Sequence, residues 1–159
     1  MTSARQRLGQ AGEVIASRFL EAQGYRIVAL NVRAGRVEMD LIARRGPLLV
    51  FVEVKSRSSL RAGSAAEAVD ARKQNRLRRG ASAWLATRPS EARGARKTRF
   101  DVVTCLRVEV DDAAAMAALT SKSVSKTAPF GCWVPNETTA PEGARWRWCW
   151  WVEHWEAAF

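Results

Sequence analysis

One histidine and three cysteines in 159 residues leave little material for soft-metal or thiol chemistry. Cys105, Cys132 and Cys149 are odd in number and lack the paired spacing of a zinc site, so neither a disulfide framework nor a zinc finger is expected. His154 has too few companions to hold a metal and reads as an inert surface residue. No phosphate-binding P-loop and no Gly-rich dinucleotide turn occurs, which removes support for a nucleotide cofactor or an ATP-driven reaction. There is no signal peptide and no long apolar run, so the reading is a reduced, cytoplasmic protein without a membrane segment. Acidic residues are also scarce, 16 against 26 Lys and Arg, and the deficit is local. Residues 1–108 carry 22 basic and 9 acidic side chains, whereas 109–159 carry 4 and 7. A positive field of that kind attracts polyanions; nucleic acid is the natural ligand, with acidic proteins and anionic membranes as the other options.

What the chain does have is an unusual hairpin. Residues 35–57 read GRVEMDLIARRGPLLVFVEVKSR. The runs 37–43 and 48–54 are rich in β-branched and aromatic residues, and Arg44-Arg45-Gly46-Pro47 between them is turn chemistry. Two antiparallel strands are expected. With the turn centred on Arg45-Gly46, Val37, Met39, Leu41 and Ala43 share a wholly apolar face with Leu48, Val50, Val52 and Val54. The other face then carries Arg36, Glu38, Asp40 and Ile42 with Leu49, Phe51, Glu53 and Lys55. Asp40 falls opposite Phe51 and diagonal to Glu53, and diagonal neighbours lie about 7–8 Å apart at the backbone, which lets two carboxylates reach one ion.

Hard divalent cations such as Mg²⁺ take oxygen ligands, usually one or two carboxylates with water and substrate phosphate. Asp40 and Glu53 supply such a pair, and Lys55, two residues past Glu53 on the same face, is placed to stabilise charge on an attacked phosphate. Without a cation, two adjacent carboxylates on a half-apolar face repel each other. Taken alone, Glu53 and Lys55 read better as a salt-bridged edge facing water. Asp40 in register, an otherwise apolar second strand and a basic chain together favour the metal site.

Asp40 followed by Glu53-Val54-Lys55 on the next strand resembles the D…(D/E)-x-K core of the restriction-endonuclease-like nucleases, and with a helical glutamate upstream it resembles the archaeal Holliday-junction resolvases. The strings GEVIASRFLEAQGYRIVALNVRAGRVEMDLIARRGPLLVFVEVKSRSS, EAVDARKQNRLRRGASAWLA and RFDVV are similar to the YraN family of uncharacterised bacterial proteins, over roughly residues 9–103. The resemblance implies a restriction-endonuclease-like α/β fold, a central mixed sheet of about four or five strands flanked by helices. It implies Mg²⁺- or Mn²⁺-dependent hydrolysis of DNA phosphodiesters, branched or flapped DNA included. It makes Glu13 the helical acid, Asp40 the central metal ligand, Glu53 the second ligand and Lys55 the catalytic lysine, with Glu38 a further candidate ligand. The likeness to resolvases also suggests a homodimer. One fold hosts many functions, so the alternative is a non-catalytic nucleic-acid-binding or complex-assembling module that keeps the fold.

The rest reads as a small α/β domain over 1–110 followed by an atypical Trp-rich extension over 111–159. A helix is predicted at about 9–23, with Leu8, Ile15, Phe19 and Ala22 as its apolar stripe and Glu13 at the margin, where a solvated first-turn glutamate is an equal account. A strand follows at 25–33. A second helix runs to about residue 86 with Val69, Leu77, Ala81 and Trp84 inward, starting either from a Ser64/Glu67 capping box or later at Asp70. Arg72, Arg76 and Arg79 recur along its outer face beside Lys73 and Gln74, and with Arg57 at the end of the hairpin they are the candidate phosphate contacts. An ordinary solvated arginine face is the other reading. A fourth strand is predicted at 98–106, in which Asp101 is expected to be structural because it has no partner at ligand spacing. Further on, 113–119 suggests a helical turn or two and 121–127 a polar linker. The tryptophans of the last 30 or so residues either stack on bases, meet a bilayer, or cover a sheet edge or dimer surface.

Overall fold

The computed structural model describes residues 3–59, 69–109, 130–133 and 148–159. Its elements in chain order are α1 (Ala4–Ala22), β1 (Arg26–Ala34), β2 (Val37–Arg45), β3 (Leu48–Arg57), α2 (Ala71–Thr87), α3 (Pro89–Ala92), β4 (Lys97–Glu109), β5 (Phe130–Trp133) and β6 (Trp148–Trp155). The helix α1 starts earlier than predicted because the Ser3 hydroxyl accepts a hydrogen bond from Gln6 N at 3.2 Å, satisfying one of the orphan donors of the first turn. Asp70 caps α2 by accepting from Lys73 N at 2.7 Å, so the later of the two predicted starts is the one the chain uses. The Ser64/Glu67 box and the segments 113–119 and 121–127 lie outside the described residues.

Six strands form one sheet in the order β1-β2-β3-β4-β6-β5. All neighbours are antiparallel except β3 and β4, which run parallel and are joined by a crossover containing α2. The helices cover opposite faces. Ile15, Ala16, Phe19 and Leu20 of α1 pack on Leu41, Ala43, Val50, Val52 and Val103. Leu77, Ala81 and Trp84 of α2 pack, with Val69, on Met39, Ile42, Leu49, Phe51 and Val102. Burial on both faces is why β3 reads as a near-continuous apolar run rather than an alternating one. Close approach of α1 depends on Gly12, where an added Cβ would lie 1.8 Å from Ser56 Oγ. The architecture is the mixed, helix-flanked sheet of a restriction-endonuclease-like α/β fold. No helix among the described residues is long and apolar enough to cross a membrane.

Two details of the predicted hairpin are corrected. The turn is centred on Gly46-Pro47, with Arg45 opposite Leu48, so Ile42 rather than Asp40 faces Phe51. Gly46 has φ 58° and takes the turn position that requires a positive φ, while the ring of Pro47 suits the next one. The strand β2 also does not keep one apolar face: Leu41 and Ala43 lie under α1, whereas Val37 and Met39 lie under α2. The switch falls at Asp40, where pairing with β3 ends at Leu41–Val52 and the facing part of β1 contains Asn31 at φ 50°.

Beyond the boundary expected near residue 110, β6 rejoins the sheet beside β4, from Glu109–Trp148 to Val102–Trp155. Trp150 and Trp151 are buried there. Pairing with β6 closes the edge that β4 would otherwise leave as a row of exposed backbone donors and acceptors.

Candidate functional site

Where β2 peels away from β3, the ladder loses an acceptor, and a side chain supplies it. Asp40 Oδ2 accepts a hydrogen bond from Val54 N at 2.8 Å. This holds the carboxylate beside Glu53, one residue earlier on β3. Glu53 is only 5% exposed, and its Oε1 accepts from Lys55 Nζ at 2.7 Å. The same oxygen is ion-paired with Nζ of Lys73, which reaches across from the first turn of α2. Lys55 and Glu53 therefore share the face under α2, and Asp40 joins them at the point where its own strand changes face.

The electrostatics follow from this crowding. Burial pushes the Asp40 carboxyl up to about 6 from the usual 3.8, and the charge of Glu53 pushes in the same direction, against the Val54 N–H and the Lys73 ammonium. For Lys73, burial acts to lower the pKa, but the hydrogen bond and charge of Glu53 hold it above the ordinary value. Among the described residues, no hydrogen bond reaches Asp40 Oδ1 or Glu53 Oε2. Among the described residues two oxygens from adjacent carboxylates thus carry no hydrogen bond, and oxygen donors in this number suit a Mg²⁺- or Mn²⁺-type ion completed by water and phosphate.

Glu13 and Glu38 are the other two predicted acids. Glu13 Oε2 accepts from Asn31 Nδ2 at 3.0 Å, and the two residues line a cleft of about 610 Å³ with Glu38, Gln6 and Arg5. The negative charge of Glu13 makes a minor contribution to raising Asp40. Among the described residues, no three His, Cys, Asp or Glu side chains converge at metal-holding spacing. The carboxylates that come together are Asp40 and Glu53.

On α2, Arg72, Arg76 and Arg79 are exposed, and Leu77 and Trp84 are buried on the opposite side. Of the other sequence-predicted contacts, Lys73 is turned into the Glu53 cluster, Gln74 Nε2 donates to Val69 O at 3.0 Å, and Arg57 is half-buried at the end of β3. The contact of Lys73 with Glu53 was not anticipated from sequence. A signal was present: a lysine in the first turn of a helix opposes the macrodipole and needs a nearby anion.

A second buried carboxylate cluster lies on the α1 side of the sheet. Asp101 is fully buried; Arg99 grips it with Nε to Oδ1 and Nη2 to Oδ2, both at 2.8 Å. His154 Nε2 lies 2.7 Å from Oδ2, and Ala157 N donates to Oδ1 at 2.9 Å. Arg99 Nη2 also donates to the Tyr25 hydroxyl at 2.8 Å, which in turn donates to Glu156 at 3.1 Å. Against the burial of Asp101, the hydrogen bonds from His154, Arg99 and Ala157 hold its carboxyl below the ordinary value. The expectations for this region need correction: Asp101, expected to lack partners, is densely partnered, and His154 is 1% exposed rather than a surface residue. Its ring sits edge-on to Tyr25 and Phe19, because pairing of β6 with β4 carries it into the core. The Arg99-x-Asp101 spacing on one strand face was legible; the contact with His154 was not.

The mixed sheet between two helices thus sets an Asp from one hairpin strand against a Glu-x-Lys on the next, within a restriction-endonuclease-like α/β fold. Residues 12–105 match the model of the Uncharacterised protein family UPF0102, and the chain belongs to that family. A UPF0102 protein of Symbiobacterium thermophilum is 55% identical over 97 residues, which cover 61% of this chain and 80% of the relative. Those of Beutenbergia cavernae and Frankia alni are each 49% identical, over 104 residues (65% and 86% covered) and 107 residues (67% and 87%). The family span contains Glu13, Asp40, Glu53, Lys55, Lys73 and Asp101 and stops short of His154.

Proposed function

We propose that this protein is a metal-dependent endonuclease that hydrolyses DNA phosphodiesters, branched or flapped DNA included. The observation that carries the reading is the placement of Asp40, held by Val54 N–H, beside the buried Glu53 that Lys55 touches. A pair of acids so placed is an incomplete arrangement that a cation would complete. Asp40 and Glu53 are the residues that would hold Mg²⁺ or Mn²⁺, and such an ion polarises a phosphoryl oxygen and acidifies a water. Val54 N–H fixes the orientation of Asp40, and Lys55, tied to Glu53, places an ammonium where charge develops on the attacked phosphate. Arg72, Arg76 and Arg79 on the exposed face of α2 supply contacts to the phosphate backbone that carry no sequence information. Two copies in a homodimer would present two such sites to a junction.

A second reading is favoured by one observation. Both lysines engage Glu53, so two acids and two ammonium groups balance without any ion, as in a non-catalytic binding module. The test is incubation of the full chain with linear, single-stranded, flapped and four-way DNA, with Mg²⁺ or Mn²⁺ and with chelator. Metal-dependent cleavage that disappears in Asp40→Asn supports the nuclease. Tight binding with no cleavage of any substrate supports the module.

A further inference from the structure

Two lysines on one carboxylate oxygen are more than a structural ion pair requires. Lys55 comes from β3, an interior strand paired along its length with β4, where Lys55 stands beside Thr104. Lys73 comes from the first turn of α2, where the helix dipole opposes a positive charge. Its side chain is also the more exposed of the two, 36% against 25% for Lys55. The helix gains nothing from a cation at that place, and Glu53 already has a partner in Lys55.

We propose that Lys73 occupies Glu53 in place of a divalent cation and gives way when one enters, so that it sets the affinity of the site for metal. This rests on the reading of Asp40 and Glu53 as the metal-holding pair. As it stands, the cluster is neutral: two carboxylates against two ammonium groups. Adding a doubly charged ion while both lysines remain would leave a strong positive excess in a half-buried site, which Coulomb repulsion at contact distance opposes. One ammonium has to leave Glu53, and the one on the helix end has solvent beside it. Once displaced, Lys73 stands next to Asp40 and Glu53 with a free ammonium, on the side of the sheet that α2 shares with Lys55. There it would meet the bound phosphodiester as a second positive group.

The experiment is titration of the full chain with Mn²⁺ in the absence of DNA, followed by calorimetry and by the Mn²⁺ paramagnetic resonance signal, for wild type, Lys73→Met, Lys73→Arg, Lys55→Met and Asp40→Asn. Removing the competing charge should tighten Mn²⁺ binding by Lys73→Met on the order of tenfold or more. Lys73→Arg, which keeps the charge, should bind close to wild type, and a circular-dichroism melt of each variant confirms that it is folded. Mn²⁺ binding that depends on Asp40 but is no tighter in Lys73→Met overturns the inference and leaves the metal site standing. So does tightening in Lys55→Met alone, which would make Lys55 the group that yields. If neither wild type nor Lys73→Met binds Mn²⁺, the metal reading itself fails and the inference falls with it. Binding by Lys73→Met where wild type binds none supports the inference in its strongest form.

Discussion

Asp40 and Asp101 are carboxylates of one sheet, both largely withdrawn from water, and they are treated in opposite ways. Asp101 receives a two-point grip from Arg99, a contact from His154 and a backbone N–H from Ala157, and its ionised form is favoured. Asp40 receives one backbone N–H and a negative neighbour, and its ionised form is disfavoured. Burial acts on both in the same direction; the partners decide the sign. The comparison separates a carboxylate that holds a structure together from one that the structure holds ready. Asp101 fastens the end of the chain, through His154 and Ala157, to β4. Asp40 sits where two strands part, with an oxygen left over.

The largest effect expected from breaking this contrast is on chemistry. Asp40→Asn and Lys55→Ala should each lower DNA cleavage by about a thousandfold or more, on the scale of removing a principal electrostatic group. Both variants should keep the fold, since Asn can still accept from Val54 N and Lys73 still partners Glu53. Cleavage at the wild-type rate by either variant would remove the proposed mechanism.

Next in size is the stability of the other cluster. Asp101→Ala leaves Arg99 and His154 without their buried partner, and removing one member of a buried ion pair costs about 3–5 kcal/mol. Urea unfolding should show the midpoint fall sharply, and a loss below about 1 kcal/mol would mean that water replaces the carboxylate and the network is not the fastening we describe.

A smaller effect sharpens the comparison through pH. Asp40 binds its proton more tightly in the folded protein, near 6, than at its ordinary value of 3.8, so metal-free stability should fall as pH rises through that window. The loss by neutral pH is on the order of 3 kcal/mol. Asp101, held below its ordinary value, has the opposite sign: its contribution is fully present above about pH 4 and is lost on further acidification. Unfolding free energies measured with chelator between pH 4 and 7 should therefore slope downward in wild type, and the slope should be largely absent in Asp40→Asn. An unchanged slope in that variant would place the titrating group elsewhere.

The smallest effects belong to residues outside both clusters. Arg72→Ala, Arg76→Ala and Arg79→Ala should each weaken DNA binding a few-fold and reduce the salt slope by about 1. Stability should not change. Wild-type salt dependence in all three would mean that this face of α2 is simply solvated.

Local pattern explains which parts of this were legible. The hairpin, the inward residues of α2 and the Asp70 cap follow from alternation, helical spacing and capping chemistry, all of which act over a few residues. The register missed by a two-residue slip because Arg45-Gly46 and Gly46-Pro47 are both acceptable turn centres by composition; the left-handed φ of Gly46 chose between them. The face switch in β2 was invisible because alternation along the strand continues through Asp40, and the irregularity opposite it is in another strand. His154 was misread because its partner is 53 residues away, and no local rule reports that β6 pairs with β4.

The sequence by itself determined a small α/β pattern, the acids and lysine on one hairpin, and the concentration of positive charge in the first two thirds of the chain. These depend on composition and short-range periodicity, whereas the particular class of α/β fold was an expectation from resemblance to a known family. Tertiary structure alone decided that Asp40 is held by Val54 N–H where β2 leaves β3, that Lys73 joins the two acids from a helix, and that Asp101 and His154 lock the chain's end to the sheet. Each of those is a contact between elements, set by strand register and helix packing, and the electrostatic character of a buried carboxylate follows from such contacts rather than from its neighbours in sequence.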